Sequence, residues 1–257
     1  MDRLGVDRMA DQLVGLFARA ETEVRLAAQT ALLSGATKTA RGRRGVLGRI
    51  AGVLGRLGRT AAGGAAALVA AAYAAGAAIA DRAPPGTPPV GSVNPDDVRD
   101  EAVRVLADNL TRTLEDTVQI VGRKAHDAFR REGLRHVAAG LVGGQSDEVT
   151  GEGLQRFLRD QGVEGFVDRA GRRWSLQRYA DMVVRTTARE ALSYGTINTL
   201  LSMGLDLVTV SEHDHPHDAC TDFEGRTYSI TGQTPGYPRL ERMPPFHPNC
   251  RHWLTPA

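Results

Sequence analysis

The chain has 257 residues, a formal net charge of +2, 42% apolar residues and only 5% aromatic ones. This length allows two domains, and the composition favours helices packed through alanine, leucine and valine. The near-neutral charge excludes a protein that binds nucleic acid over its whole surface. Two cysteines exclude a disulfide framework, and the first residues lack the apolar core of a secretory signal, so we expect synthesis in a reducing cytoplasm.

The first part of the chain predicts two helices. Residues 2–33 carry an apolar residue at every third or fourth position, which is typical of one amphipathic helix, and Gly15 is where it could break. Residues 38–59 contain seven basic residues and no acidic one, interspersed with valine, leucine and isoleucine. This pattern predicts a basic amphipathic helix of moderate stability, because each interior glycine costs roughly 1 kcal/mol relative to alanine.

Residues 61–80 form an uncharged stretch that contains thirteen alanines and three glycines. A helix of this length, at about 1.5 Å per residue, could span a bilayer. Alanine, however, is a strong helix former and only a weak membrane inserter. The composition therefore favours a helix buried against other protein over a helix in contact with a membrane.

A proline-rich stretch, residues 81–95, has five prolines and no periodicity, which predicts an extended linker. A helix start overlaps its end, because Asn94 can cap a helix, Pro95 suits the first turn, and two aspartates follow near the positive end of the helix dipole. The apolar positions beyond it predict one long helix that continues to about Arg135.

The second half of the chain predicts shorter elements. In chain order they are a glycine-rich turn at 143–144, a short helix over 152–162, a hairpin with Phe166 and Trp174 on its arms and Ala170-Gly171 at its turn, a helix over 176–204 and a strand over 206–213. The fold class is therefore mainly α with a small α+β C-terminal domain, in which long N-terminal helices precede a compact domain of short strands and loops. The predicted organisation is a helical N-terminal region over 1–80, a linker over 81–95, a long helix and turn over 96–149, and a C-terminal domain over 150–257.

The tail of the chain holds both cysteines and most of the histidines. Neutral imidazole and thiolate are ligands that zinc prefers, and His247 and Cys250 lie three apart on a Pro-Asn turn. The candidate metal ligands are these two residues, Cys220 and His213, with His215 and His217 as alternatives to His213. Phe223 stands where a Cys-x-x-Cys pair would need its second cysteine, so the zinc pattern is incomplete.

Two other interpretations of the tail stay open. In the first, no metal binds, the cysteines are small buried apolar residues or a pair that can oxidise outside the cell, and the histidines hydrogen-bond loops. In the second, Cys220 or Cys250 acts as a nucleophile with His213 or His247 as its base. No acidic residue that could orient the histidine, and no oxyanion donor, occurs at a spacing that indicates a catalytic site. We therefore assign no catalytic residue. The sequence also lacks the phosphate-binding loop of ATP-driven motors and the Gly-x-Ser-x-Gly elbow of serine hydrolases.

Several motifs in the tail occur in one order with plausible gaps. They are Tyr179-Ala180-Asp181-Met182 with Arg185-Thr186, "MGLDLVTVSEH", the turn at Cys220, "FEGRTYSITG", "TPGYP" and "FHPNCRH". In this order they resemble the C-terminal domain of the minor capsid (minor head) proteins of tailed bacteriophages. The resemblance is to the minor capsid protein 2 type, and more distantly to the Mu F-like head morphogenesis proteins, and it covers residues 150–257.

This resemblance implies a non-enzymatic virion component inside the capsid at the portal vertex, made in the host cytoplasm. It would assist head assembly, with DNA packaging or ejection as further roles. The implied partners are the portal protein, the major capsid and scaffold proteins and packaged DNA, whereas membrane contact is less expected. The cofactor is either none or zinc. The alternative function is a metal-dependent nuclease or toxin-like enzyme that uses the C-terminal His/Cys cluster.

The remaining candidate residues fall into two sets. Those predicted to contact DNA or a partner are Arg41, Arg43, Arg44, Arg49, Arg56 and Arg59, because contacts with DNA phosphates release counterions and so favour binding. The alternative interpretation of this basic stretch is a solvated helix face or a surface that faces the portal. Those predicted to have structural roles are Arg185, Asn249, Arg251 and His252, with Arg185 and Arg251 as candidate internal salt-bridge or turn-binding groups.

Overall fold

A computed structural model describes residues 3–36, 39–83, 95–142, 166–167, 171–212 and 220–257. Within these ranges the chain forms four helices and five short strands. The helices are α1 (Arg3–Leu33), α2 (Ala40–Ala80), α3 (Pro95–Val142) and α4 (Leu176–Ser202), and the strands are β1 (Phe166–Val167), β2 (Arg173–Trp174), β3 (Leu207–Val210), β4 (Thr227–Ser229) and β5 (Leu254–Pro256). The predicted fold class, mainly α with a small α+β C-terminal region, is confirmed.

Helix α1 confirms the predicted N-terminal helix and passes through Gly15 without a break. The apolar residues around this glycine, Leu13, Val14 and Phe17, are all buried. Burying one such side chain contributes about 1.5–3 kcal/mol, which exceeds the roughly 1 kcal/mol cost of a helical glycine. The break considered at Gly15 therefore does not occur.

Helix α2 joins the basic stretch and the alanine-rich stretch, which the sequence predicts as two segments, into one element of 41 residues. Among the described helices, α2 alone is long and apolar enough to cross a membrane, by length and composition only. Most of the larger side chains of its alanine-rich part nevertheless face protein, because Leu68, Val69 and Tyr73 are buried and Ile79 is half-buried. This burial agrees with the prediction of a helix packed against other protein.

Helix α3 begins at Pro95 with Asp96 and Asp97 in its first turn, as predicted. It ends at Val142 rather than near Arg135, because the residues between these two include alanine and leucine and no proline. The predicted turn at 143–144 and the predicted helix over 152–162 lie outside the described residues.

The strands confirm the two predicted β elements and add their partners. Strands β1 and β2 form an antiparallel pair in which Phe166 lies opposite Trp174, so these residues are on the arms of the predicted hairpin. Strand β3, within the predicted strand over 206–213, is the middle of a three-stranded antiparallel sheet with the order β4-β3-β5. Val208 of β3 pairs with Tyr228 on one side and Pro256 on the other.

The chain divides into two compact units that are each discontinuous in sequence. Unit 1 consists of Met1–Leu13, Gly63–Arg112 and Asp181–Ala257, and unit 2 of Val14–Ala62 and Thr113–Ala180. The three-stranded sheet belongs to unit 1 and the β1–β2 pair to unit 2. The predicted domain boundaries at residues 80, 95 and 149 remain predictions.

Within unit 1, α2 and α4 approach each other at backbone contact. A Cβ atom added to Gly76 would lie 1.9 Å from the carbonyl oxygen of Leu192, and one added to Gly195 would lie 2.1 Å from that of Tyr73. The Thr196 hydroxyl lies 3.1 Å from the Gly76 carbonyl oxygen and can donate to it. The two helices can therefore be this close only because glycine occupies both positions.

Candidate functional site

Both cysteines lie in the apolar core of the C-terminal sheet in unit 1. Cys220 is completely buried and Cys250 is 3% exposed. They pack in one cluster with core residues of all three strands, including Val208, Tyr228 and Leu254. The sheet is small, with strands of three or four residues, and the cysteines are two of the nine buried residues in this cluster of the described structure.

Tight turns place the two cysteines. The Cys250 N–H donates to the His247 carbonyl oxygen at 3.1 Å, which closes a four-residue turn. Pro248 occupies its second position, and Asn249 occupies its third with a φ of 63°. This is the pattern of a type II turn, in which asparagine tolerates the left-handed conformation. On the other side, the Phe223 N–H donates to the Cys220 carbonyl oxygen at 2.8 Å.

These turns bring the two thiol groups and one imidazole together. The Cys220 and Cys250 Sγ atoms lie 3.7 Å apart. The Nδ1 atom of His252 lies 3.5 Å from the Cys250 Sγ atom. The three side chains offer candidate ligand atoms that all lie within 4.8 Å of one another. We call this group, Cys220, Cys250 and His252, the CCH cluster.

A carboxylate contacts the second ring nitrogen of the imidazole in the CCH cluster and so fixes the orientation of the ring. Nε2 of His252 lies 2.6 Å from the Glu224 Oε1 atom, and the His252 side chain is only 2% exposed. When Nε2–H donates to this carboxylate, a neutral imidazole presents the lone pair of Nδ1 to the cysteines. Phe246 covers the ring, with centroids 6.1 Å apart, and Phe223 stacks on Phe246 at 4.3 Å.

The predicted metal ligands are only partly brought together. Cys220 and Cys250 meet as predicted, but the histidine beside them is His252, which the sequence analysis assigned a structural role. His247 lies outside the CCH cluster, and its Nδ1 atom is 2.8 Å from the Pro248 carbonyl oxygen. His213 lies outside the described residues, so its part as a ligand stays a prediction.

The other residues predicted to have structural roles lie in unit 1. The Arg185 guanidinium donates to Asp181 at 2.7 Å and to Asp11 at 2.5 Å, so it forms a two-carboxylate salt bridge in unit 1. The Asn249 N–H donates to the Thr186 hydroxyl at 3.2 Å, which ties the type II turn to α4. Arg251 is exposed.

Glu224 and Asp206 are two important residues that the sequence analysis missed. Asp206, just before β3, accepts hydrogen bonds from the Ser229 hydroxyl, the Thr234 hydroxyl at 2.6 Å and the Thr231 N–H at 2.7 Å. Partial burial raises the pKa of Asp206, but these hydrogen bonds together outweigh it and hold the pKa at about 2. The position of Asp206 next to the start of a strand was a signal in the sequence that could have identified it. No local sequence pattern marks Glu224.

The predicted DNA or partner contacts lie on the basic part of α2, in unit 2. Its apolar residues, Val46, Ile50, Val53, Leu54 and Leu57, are buried on one face. Arg41, Arg44, Arg49 and Arg59 are exposed; at 100° per residue Arg41, Arg44 and Arg59 lie opposite the buried face and Arg49 lies beside it. We call these four residues the arginine face. Arg56 is also exposed, but its Nη2 atom lies 3.3 Å from the Glu23 Oε2 atom, so it already pairs with a carboxylate. Arg43 is half-buried.

Comparison with known proteins identifies the family. A family model described as phage minor capsid protein 2 matches residues 57–257, which is most of the chain. No curated protein and no solved structure matches the chain significantly. The match includes the whole C-terminal sheet with its CCH cluster, and it begins well before residue 150, where the sequence motifs start. The chain therefore belongs to the phage minor capsid protein 2 family.

Proposed function

We propose that this protein is a non-enzymatic component of the phage head that sits inside the capsid at the portal vertex and assists head assembly. The family match over residues 57–257 carries the proposal, because it gives the protein a structural role in the phage particle. The partners we propose are the portal protein and the major capsid and scaffold proteins. Participation in DNA packaging or ejection is part of the same proposal.

The burial of the CCH cluster supports a structural protein over the nuclease or toxin-like alternative. A catalytic metal needs an open coordination position that a substrate can reach. Cys220, Cys250 and His252 are each at most 3% exposed, and they lie within the core of the sheet. A group enclosed in this way is suited to stabilising the fold.

The arginine face supports contact with packaged DNA. Its four side chains lie between residues 41 and 59 of one helix, a rise of about 27 Å, and no acidic residue occurs in residues 38–59. Phosphate oxygens are the natural partners of such a series of exposed guanidinium groups. We therefore propose that this face contacts the DNA that fills the head.

The experiment for the portal role is co-purification with the portal protein of the same phage. We expect a complex of defined stoichiometry, with this protein located by electron microscopy on the portal surface that faces the capsid interior. The portal protein of an unrelated phage is the matched control and should not be retained. Absence of binding to the cognate portal, together with metal-dependent cleavage of DNA, would overturn the proposal and favour the nuclease alternative.

A further inference from the structure

The geometry of the CCH cluster corresponds to part of a tetrahedral zinc site. With Zn–S near 2.3 Å and Zn–N near 2.0–2.1 Å, a tetrahedron places two thiolates about 3.8 Å apart and a thiolate and an imidazole about 3.6 Å apart. The observed separations are 3.7 Å between the two sulfurs and 3.5 Å between Cys250 Sγ and His252 Nδ1. The third pair, Cys220 Sγ and His252 Nδ1, lies within 4.8 Å, so a bound ion would draw these two side chains closer together.

The surroundings of His252 also match those of a metal ligand. Metal-bound histidines usually donate their other ring N–H to a carboxylate or carbonyl, which fixes the tautomer and makes the ligand more basic. Glu224 holds Nε2 of His252 at 2.6 Å, while Nδ1 faces the sulfurs. The carboxylate thus supplies the orientation that coordination through Nδ1 requires.

We propose that Cys220, Cys250 and His252 bind one structural zinc ion, with Glu224 orienting His252. Two thiolates and one imidazole are the donor set that zinc favours, and they fill three of the four positions of its tetrahedral site. The burial of all three side chains keeps the fourth position away from any substrate, which is why we propose a structural ion. This inference does not depend on the portal role, because it concerns the folding of the C-terminal sheet alone.

The position of the CCH cluster in the sheet indicates which strands a bound ion would hold together. Cys220 and Glu224 lie in the connection that leads into β4, and Cys250 and His252 lie in the segment that leads into β5. These strands flank β3 on opposite sides. The ion would therefore join the entries to both edge strands of a sheet whose strands are too short for many ladder hydrogen bonds.

The first test measures zinc in the intact protein. The full chain, purified without a histidine tag from cells supplied with zinc, is expected to contain one zinc per chain by elemental analysis. X-ray absorption should show two sulfur ligands at about 2.3 Å and one imidazole nitrogen at about 2.0–2.1 Å. Zinc far below one per chain, a Cys220–Cys250 disulfide, or a different stoichiometric metal would each overturn the proposal. These measurements use the unaltered protein and do not depend on a variant that folds.

The second test separates the proposed ligands from their neighbours. His252→Ala and Cys250→Ser should lose stoichiometric zinc, whereas His247→Ala, which alters a histidine outside the CCH cluster, should retain it. Glu224→Gln should bind zinc roughly 10–100-fold more weakly in competition with a chelator. Glu212→Gln is the matched control, with unchanged affinity expected. Equal zinc affinity in Glu224→Gln and the unaltered protein, or zinc loss in His247→Ala, would contradict the assigned roles.

Discussion

Single residues at the edges of the C-terminal sheet determine how its loops close. Asp206 illustrates this, since one carboxylate accepts from a hydroxyl group at the end of β4 and from a hydroxyl group and a backbone N–H in the segment after β4. Ser229 also accepts from the Gly232 N–H at 2.7 Å. The chain after β4 is thus held to the start of β3 by a network centred on one ionised side chain.

Replacing Asp206 with asparagine should lower the free energy of unfolding by about 1–2 kcal/mol at neutral pH, because the charged acceptor of several hydrogen bonds is lost. The pKa of Asp206 is about 2 in the fold and 3.8 ordinarily, so the ionised group stabilises the fold above pH 3.8. That contribution disappears as the pH falls from 3.8 to about 2. Urea unfolding of both proteins across this range should show their difference shrinking.

Asp222→Asn is the control for this prediction. Asp222 is exposed in the turn after Cys220, so the same chemical change should have little effect on unfolding there. If Asp206→Asn were no less stable than Asp222→Asn at neutral pH, the hydrogen bonds to Asp206 would not stabilise the sheet.

At the scale of elements, the contact between α2 and α4 depends on two small residues. Gly76→Ala should lower the free energy of unfolding by about 3 kcal/mol, because its Cβ atom would overlap the Leu192 carbonyl group and push the helices apart. Gly63→Ala, in the same helix with nothing within 4 Å of the added atom, should instead raise it by up to about 1 kcal/mol. Thermal or urea unfolding measures both. Similar effects of the two substitutions would contradict the close approach.

Some elements were predictable because their signal is local. A few adjacent residues were enough to predict three features: the alternating buried and half-buried side chains of β3, the Pro-Asn turn at 248–249 and the start of α3 at Pro95. The contact of Gly76 with α4 was not predictable, since a glycine in an alanine-rich helix does not reveal which backbone approaches it. The same holds for Glu224, whose partner lies 28 residues further along the chain.

Of the candidate metal ligands, the two cysteines were predicted from the sequence and His252 was not. The pairing of Cys220 with Cys250 follows from their being the two cysteines in the tail. The choice of His247 rested on a three-residue spacing, whereas Cys250 and His252 are two apart in the segment that leads into β5. A spacing of two is that of an extended chain, in which alternate side chains point the same way. Period-two spacing was therefore the available signal for His252.

At the scale of the whole molecule, the small net charge conceals an uneven distribution. The basic residues of α3 lie among carboxylates, as when Arg104 pairs with Glu101 and Arg99 with Asp96. The arginine face of α2 lies in a stretch of sequence without acidic residues. If the protein contacts DNA, the electrostatic part of that binding should therefore come from α2 and not from the equally exposed arginines of α3.

Replacing the arginine face, Arg41, Arg44, Arg49 and Arg59, with glutamine should weaken binding to duplex DNA and make it less dependent on salt. Each phosphate contact contributes about 0.9 to the slope of log K against log salt concentration, so losing four should flatten the slope by about 3–4. The charge-matched control replaces Arg99, Arg104, Arg112 and Arg123 of α3, which are also exposed. Fluorescence anisotropy over a range of salt concentrations measures both. If the α3 variant lost as much slope as the α2 variant, binding would reflect net charge alone and the proposed DNA contact would be wrong.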